Sequence, residues 1–343
     1  MVTSLIEVCP ERTGSRIESN ATEPNLNNTM KNKFLRSTFA GATALAFLAS
    51  GVSAQQIYWT NDAGHSDNFE QGSIWTMSVG GTATEIISGL NRPIGVAVGN
   101  GTLYWAEDGV DADTSRIARS NLDGSGISTV FDGQTTGFTN AQKIAVRGGT
   151  LYWSDFGAGI MSGGTDGTGF QVHGGLAGAY TAIDIHDGGD HIFYGEPSGD
   201  IGLYRMDLDG ANDQLVHQPM AEANWRFNTL AVDQATGQIY YGDAGENAIK
   251  RRDHGGGNEV TIATDAMNVH GITMFDGEIY WAGRDGVIGR VAAEPGSTSE
   301  ILADDLPTDT MFGIAVIPEP STYALIFGGV IGLLVMLRRR FRK

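Results

Sequence analysis

An aliphatic residue, two aromatics and a small or polar residue recur together six times in this chain. The copies are Ile57-Tyr58-Trp59-Thr60, Leu103-Tyr104-Trp105-Ala106, Leu151-Tyr152-Trp153-Ser154, Ile192-Phe193-Tyr194-Gly195, Ile239-Tyr240-Tyr241-Gly242 and Ile279-Tyr280-Trp281-Ala282. The first aromatics stand at 58, 104, 152, 193, 240 and 280, a period of 40 to 48 residues. A unit of that length cannot bury its apolar surface alone and does so by stacking on its neighbours. The paired aromatics say how. Consecutive strand residues point to opposite faces of a sheet, and a sheet with one wet face would alternate apolar and polar. Two adjacent aromatics therefore predict a strand in a sheet that is covered on both sides.

The surrounding residues fit four strands per unit. A strand of small and β-branched residues precedes each of five anchors: Ile94–Val98, Lys143–Val146, Ala182–Ile185, Leu230–Val232 and Gly271–Met274. Third strands follow, as in Arg116–Ser120 and Leu203–Met206, and fourth strands, as in Ile127–Phe131 and Glu259–Ile262. Asp123-Gly124, Asp166-Gly167 and Asp209-Gly210 are tight-turn dipeptides. The first anchor has no preceding strand, but an unpartnered one stands at the far end, Phe312–Ile317. Pairing it with Gln56–Asn61 removes two sheet edges. The expectation is an all-β domain over 55–317: a six-bladed β-propeller closed by its N- and C-terminal strands. The small first strands are expected to line a central channel.

The Tyr-Trp pairs, the small-residue strands before them and the Asp-Gly turns resemble the YWTD propellers of low-density-lipoprotein-receptor-type proteins. That family carries an Asp after the anchor. Here it stands as Asp155 and Asp243, is displaced or replaced at Asp62, Asp108 and Glu196, and is absent at Gly283. Six-bladed propellers also include calcium-dependent lactonases.

The ends read as addresses. Met30-Lys31-Asn32-Lys33-Phe34-Leu35-Arg36 is a basic opening, Phe39 to Ala49 an apolar stretch, and Val52-Ser53-Ala54 a small-residue site. This is the layout of a secretory signal over 30–54, with cleavage expected between Ala54 and Gln55. Residues 1–29 are polar and without periodicity, and are read as an extension ahead of the true initiator Met30. At the other end, Pro318-Glu319-Pro320 precedes an apolar run, 323–337, and a basic end, 338–343. As a helix the run spans about 22 Å, short of a ~30 Å hydrocarbon core, which snorkelling arginines and bilayer thinning can accommodate. The basic end is expected in the cytoplasm and the domain on the outer side. Residues 318–343 resemble the PEP-CTERM sorting signal of Gram-negative bacteria. The resemblance implies recognition by an exosortase-type protease, a membrane-tethered precursor, and release to the cell surface or a matrix associated with biofilm and exopolysaccharide. Ile317 is expected to leave on the face opposite the starts of the first strands, so that this opposite face lies against the membrane before cleavage.

Charge and cysteine content exclude much. Residues 55–317 hold 12 basic and 35 acidic side chains, which disfavours nucleic acid as a partner. The one cysteine, Cys9, lies ahead of the signal. Disulfides, thiolate catalysis and Cys-ligated metals are thereby excluded from the exported part. No nucleophile elbow, HExxH or phosphate loop is present, so no catalytic set is assigned. Propeller ligands usually meet the face where first strands begin. The rim there is expected to comprise Arg92, Asn140, Tyr180, Asn228, His270 and Thr310. Two acidic loops, with Asp62 and Asp67 in one and Asp108, Asp111 and Asp113 in the other, offer oxygen ligands suited to Ca²⁺ without matching an EF-hand. The preferred function is a binding or matrix module for a surface protein or exopolysaccharide. The alternative is a calcium-dependent hydrolase or lactonase.

Overall fold

The computed structural model describes residues 55–62, 71–109, 112–175, 182–196, 202–218, 226–243, 245–304, 306 and 310–318. The expected signal, the leading extension and the tail from Glu319 onward lie outside them. The described residues form six antiparallel sheets of four strands. Blade 1 is built from β1 (Gln55–Asn61), β2 (Gly72–Ser78), β3 (Thr84–Leu90) and, as its inner strand, β24 (Met311–Pro318). Blade 2 runs inner to outer through β4 (Pro93–Gly99), β5 (Thr102–Glu107), β6 (Arg116–Asn121) and β7 (Ser128–Asp132). Blade 3 is β8 (Ala141–Arg147), β9 (Thr150–Asp155), β10 (Gly159–Gly164) and β11 (Gln171–Gly174). Blade 4 is β12 (Ala182–His186), β13 (His191–Glu196), β14 (Gly202–Asp207) and β15 (Gln214–His217). Blade 5 is β16 (Arg226–Val232), β17 (Ile239–Asp243), β18 (Ala248–Arg252) and β19 (Val260–Ala263). Blade 6 is β20 (Val269–Phe275), β21 (Glu278–Gly283), β22 (Val287–Ala292) and β23 (Glu300–Ala303).

The closure expected from the sequence is present. Strand β24 pairs antiparallel with β1, with Ile57 opposite Val316 and Tyr58 opposite Ala315. The strand reaches one residue beyond Ile317, setting Pro318 opposite Gln55. The Gln55 side chain is also tied to blade 6, accepting from the Tyr280 hydroxyl at 2.8 Å.

The paired aromatics work as the alternation of strand faces requires. Six apolar clusters fill the gaps between blades, each joining the first aromatic of one blade to the second of the next. Tyr58 shares a cluster with Trp105, Tyr104 with Trp153, Tyr152 with Tyr194, Phe193 with Tyr241, and Tyr240 with Trp281. Tyr280 with Trp59 completes the ring. Gly195 occupies the place of Thr60 and Ser154 in its anchor for a steric reason: a Cβ there would lie 2.4 Å from the Phe227 carbonyl oxygen. The Asp-Gly turns form as expected. The Gly124 N–H donates to Asn121 O at 3.0 Å and Gly124 takes φ +82°, while Asp123 Oδ1 caps the Ser125 N–H. The interblade aromatics and strand pairing hold the described residues together.

Candidate binding site at the channel mouth

The inner strands surround a central channel. Its two cavities, of about 50 Å³ toward the strand starts and about 180 Å³ toward the strand ends, share six lining residues. These are Val96, Ile144, Ile183, Leu230, Ile272 and Ile314, one from each blade, and they form an aliphatic collar. We call the side where the inner strands begin the mouth face and the other the tail face.

The residue just before the collar is Gly95, Ala182, Thr229, Gly271 or Gly313 in five blades, and Lys143 in the sixth. The long side chain lies in the mouth cavity. Its Nζ donates to the His270 carbonyl at 2.7 Å and to the Phe312 carbonyl, and stands 5.7 Å from the centre of the Phe312 ring. Lys143 thus crosses the mouth from blade 3 to blades 6 and 1. Among the described residues none of its contacts is a carboxylate, and burial pulls its amine down to about 7. Beyond the collar the contrasting group is Asp184, which lines the tail-side cavity. Its carboxylate accepts from the Ile185 and Val232 N–H groups, yet burial raises it to about 6.

Bulges build the mouth. In five blades the inner strand outnumbers its partner near its start. Ile94 is extra on β4, Gln142 and Lys143 oppose Ser154 on β8, and Phe227 to Thr229 oppose Gly242 on β16. His270 is extra on β20, and Phe312 with Gly313 opposes Thr60 on β24. A bulge bends its strand and redirects a side chain, which is why such features recur beside functional sites. On β16 the bulge is extreme: Phe227 takes φ +59°, an outlier for an aromatic residue, and is held there by packing on Tyr241 with centroids 4.6 Å apart. The next residue, Asn228, is buried with neither amide atom hydrogen-bonded. His270 Nδ1 is buried without a hydrogen-bond partner as well. Burial, with Lys143 and Arg284 nearby, lowers that imidazole to about 3, so it is neutral.

The expected rim divides accordingly. Arg92 and Asn140 are joined through Asp108: Arg92 pairs with Asp108 Oδ2 at 3.0 Å and Asn140 Nδ2 donates to Oδ1 at 2.8 Å. They tie blade 2 to blade 3. Thr310 is buried, and its carbonyl accepts the Asp62 N–H at 3.1 Å. Asn228 and His270 bury side-chain polar atoms that make no hydrogen bond. Tyr180 lies outside the described residues. Reasoning on the rim missed Lys143, Phe312 and the bulges; the break in a repeat of small residues at position 143 was the available signal.

Two of the acidic loop residues have partners in the protein. Asp108 is engaged as above, and Asp113 accepts from Gln134 Nε2 at 3.3 Å. Asp67 and Asp111 lie outside the described residues. Among the described residues, no three His, Cys, Asp or Glu side chains converge as a metal cage. The acids after the anchors brace loops instead. Asp155 accepts four backbone N–H groups, from Thr139, Asn140, Gly157 and Ala158. Glu107 accepts from Asn91 N, Trp105 Nε1 and Arg116 Nε.

Fold and ring closure define the class, a six-bladed β-propeller. Residues 316–340 match the PEP-CTERM protein-sorting motif, which marks the chain as an exported, membrane-anchored precursor sorted to the cell surface by an exosortase. Among solved structures, the chain is similar to a propeller in a nidogen–laminin complex at 15% identity and a TM-score of 0.61, over 76% of this chain and 98% of that one. It is also similar to a streptogramin B lyase, at 15% identity and a TM-score of 0.50 over 74% of each chain. A catalytically inactive virginiamycin B lyase from Staphylococcus aureus with quinupristin matches at 18% identity and a TM-score of 0.50, over 64% of this chain and 73% of that one. These likenesses concern the fold. No curated protein matches the chain. Among the described residues no helix is long and apolar enough to cross a membrane; the apolar run 323–337 is outside them.

Proposed function

We propose that the chain is a non-enzymatic binding module displayed at the cell surface, whose partner, a surface protein or an exopolysaccharide, meets the mouth face. The observation that carries this reading is the Lys143 amine across the mouth, bound to two carbonyls. A calcium-dependent hydrolase needs carboxylates converging on a divalent ion. An ammonium occupies the centre of this mouth, and the neighbouring carboxylates of Asp108 and Asp155 are bound to Arg92, Asn140 and backbone N–H groups. The described residues do not fit a resident calcium there. Phe156, half exposed on the loop after β9, gives the same face an aromatic contact residue.

The test uses the full-length chain in detergent, immobilised and exposed to purified exopolysaccharide and to envelope proteins from the same cells. Capture is expected to fall at least tenfold in a Phe156→Ala, Asp113→Lys variant on the mouth face and to survive Gly149→Glu on the tail face. Capture that ignores the mouth-face changes, or calcium-dependent turnover of a lactone, overturns the reading.

A further inference from the structure

Among the described residues the mouth holds a buried amine without a carboxylate, and the physical chemistry of that arrangement points to its ligand. A lysine ammonium carries three donors. Two are used by His270 O and Phe312 O. Taking the charge out of water is costly unless an opposite charge compensates it. Among the described residues, the groups around it do not compensate: His270 on β20 is neutral, Arg284 follows β21, and Asp184 on β12 lies beyond the collar. In a domain where acidic residues outnumber basic ones nearly threefold, Lys143 is bound to two carbonyls and, among the described residues, to no carboxylate. On the bulges of β16 and β20, Asn228 and His270 bury polar atoms without a hydrogen bond. Each directly precedes a residue lining the mouth cavity, Thr229 and Gly271. Buried polar groups are normally satisfied, and the strained backbone at Phe227 is a cost that a purely structural role for Asn228 does not offset.

We propose that the channel mouth binds a small carboxylate, with Lys143 as its counter-ion and Asn228 and His270 supplying the remaining hydrogen bonds. This deepens, and rests on, the assignment of the mouth as the binding face. A cavity of about 50 Å³ limits the group to the size of formate or acetate, free or as the end of a larger molecule. The aliphatic collar lies beneath it, so the carboxylate enters from the mouth. With the amine near pH 7 when the site is empty, binding of the anion draws a proton onto Lys143.

Sodium acetate is titrated into the full-length chain by calorimetry, with sodium chloride at equal ionic strength as the reference. Acetate is expected to bind more tightly than chloride, about tenfold more weakly at pH 8 than at pH 6 as the amine loses its proton, and with net proton uptake revealed by buffers of different ionisation heat. Lys143→Met, which keeps the stem and removes the charge, is expected to abolish binding while melting cooperatively. Asn228→Ala is expected to weaken it severalfold. Acetate no better than chloride, an affinity flat from pH 6 to pH 8, or full binding by Lys143→Met each overturns the proposal. If acetate fails while mouth-face substitutions still abolish partner capture, the carboxylate site falls and the binding face stands. If acetate binds as expected while capture ignores the mouth face, the function reading falls instead. A longer acid, such as a glycosiduronate, binding more tightly than acetate at the same lysine would identify the source as the terminus of a larger ligand.

Discussion

Gln55 and Pro318 face each other across the antiparallel pair of β1 and β24. The expected first residue of the mature chain and the first proline of the sorting motif are thus register partners in one sheet. Removal of the tail on the N-terminal side of Pro318 would strip residues from the strand that closes the ring. Mass spectrometry of the mature protein is expected to find Pro318 retained. A mature chain ending before Pro318 would contradict that. Truncation before Met311 is expected to abolish the cooperative melt altogether, because blade 1 loses its inner strand and β1 gains an open edge.

The same relationship orients the precursor. Strand β24 starts at the mouth and ends at the tail face, so the motif leaves from the tail face with no linker. A cysteine-free exported domain makes this easy to read with a membrane-impermeant maleimide. Phe156→Cys on the mouth face is expected to label freely in the uncut precursor. Gly149→Cys, exposed in the β8–β9 turn on the tail face, should label severalfold more slowly until cleavage. Blocked labelling of the mouth residue alone would reverse the orientation.

Asp155 is the residue whose loss best separates loop bracing from ligand binding. Its carboxylate serves four backbone N–H groups in the segments before β8 and after β9. Truncation leaves buried donors unmet, and Asp155→Ala is expected to cost about 2–4 kcal/mol in guanidinium melts. Asp113→Ala, at an exposed loop position, should stay within about 0.5 kcal/mol of the parent. Equal effects would mean that the acids after the anchors are interchangeable surface charge.

The fold was legible because its determinants repeat. Six copies of one anchor, each with an aromatic for either neighbouring blade, state the blade number and the two-sided burial at once. The stray strand before Pro318 states the closure. The mouth was less legible because its determinants are exceptions. Arg92 and Asn140 stand where a rim residue should, but Asp108 claims both, and that pairing joins residues 16 and 32 positions apart from it. The bulges at Lys143, Asn228 and His270 change which residue faces the channel, and a bulge adds no residue type that marks it in sequence. Lys143 was visible only as a large residue in a column of Gly, Ala and Thr, where it read as strand. The acids that suggested calcium had the right chemistry, and only their partners in space distinguish a brace from a ligand.

The two titrating groups at the mouth give the domain a characteristic pH dependence. His270 ionises at about 3 in the folded state against an ordinary 6.5, and Lys143 at about 7 against 10.5. In its own interval each of these two groups binds more protons in the unfolded chain, so its contribution to stability rises with pH, by at most about 1.4 kcal/mol per pH unit. Asp184, raised to about 6, works against the His270 contribution between about 3.8 and 6. Acidification from 6.5 toward 3 therefore destabilises through His270, and alkalinisation from 7 toward 10.5 stabilises through Lys143. Guanidinium melts between pH 4 and pH 10 read both effects if the m-value stays constant. His270→Asn is expected to flatten the acid interval and leave the alkaline one intact. Lys143→Met should do the converse and, by removing an uncompensated buried ammonium while keeping an apolar stem, be more stable than the parent at pH 6. A Lys143→Met protein less stable than the parent at that pH would mean that the two carbonyls more than offset the desolvation of the ammonium. The channel lysine would then be a brace between blades 3, 6 and 1 in its own right.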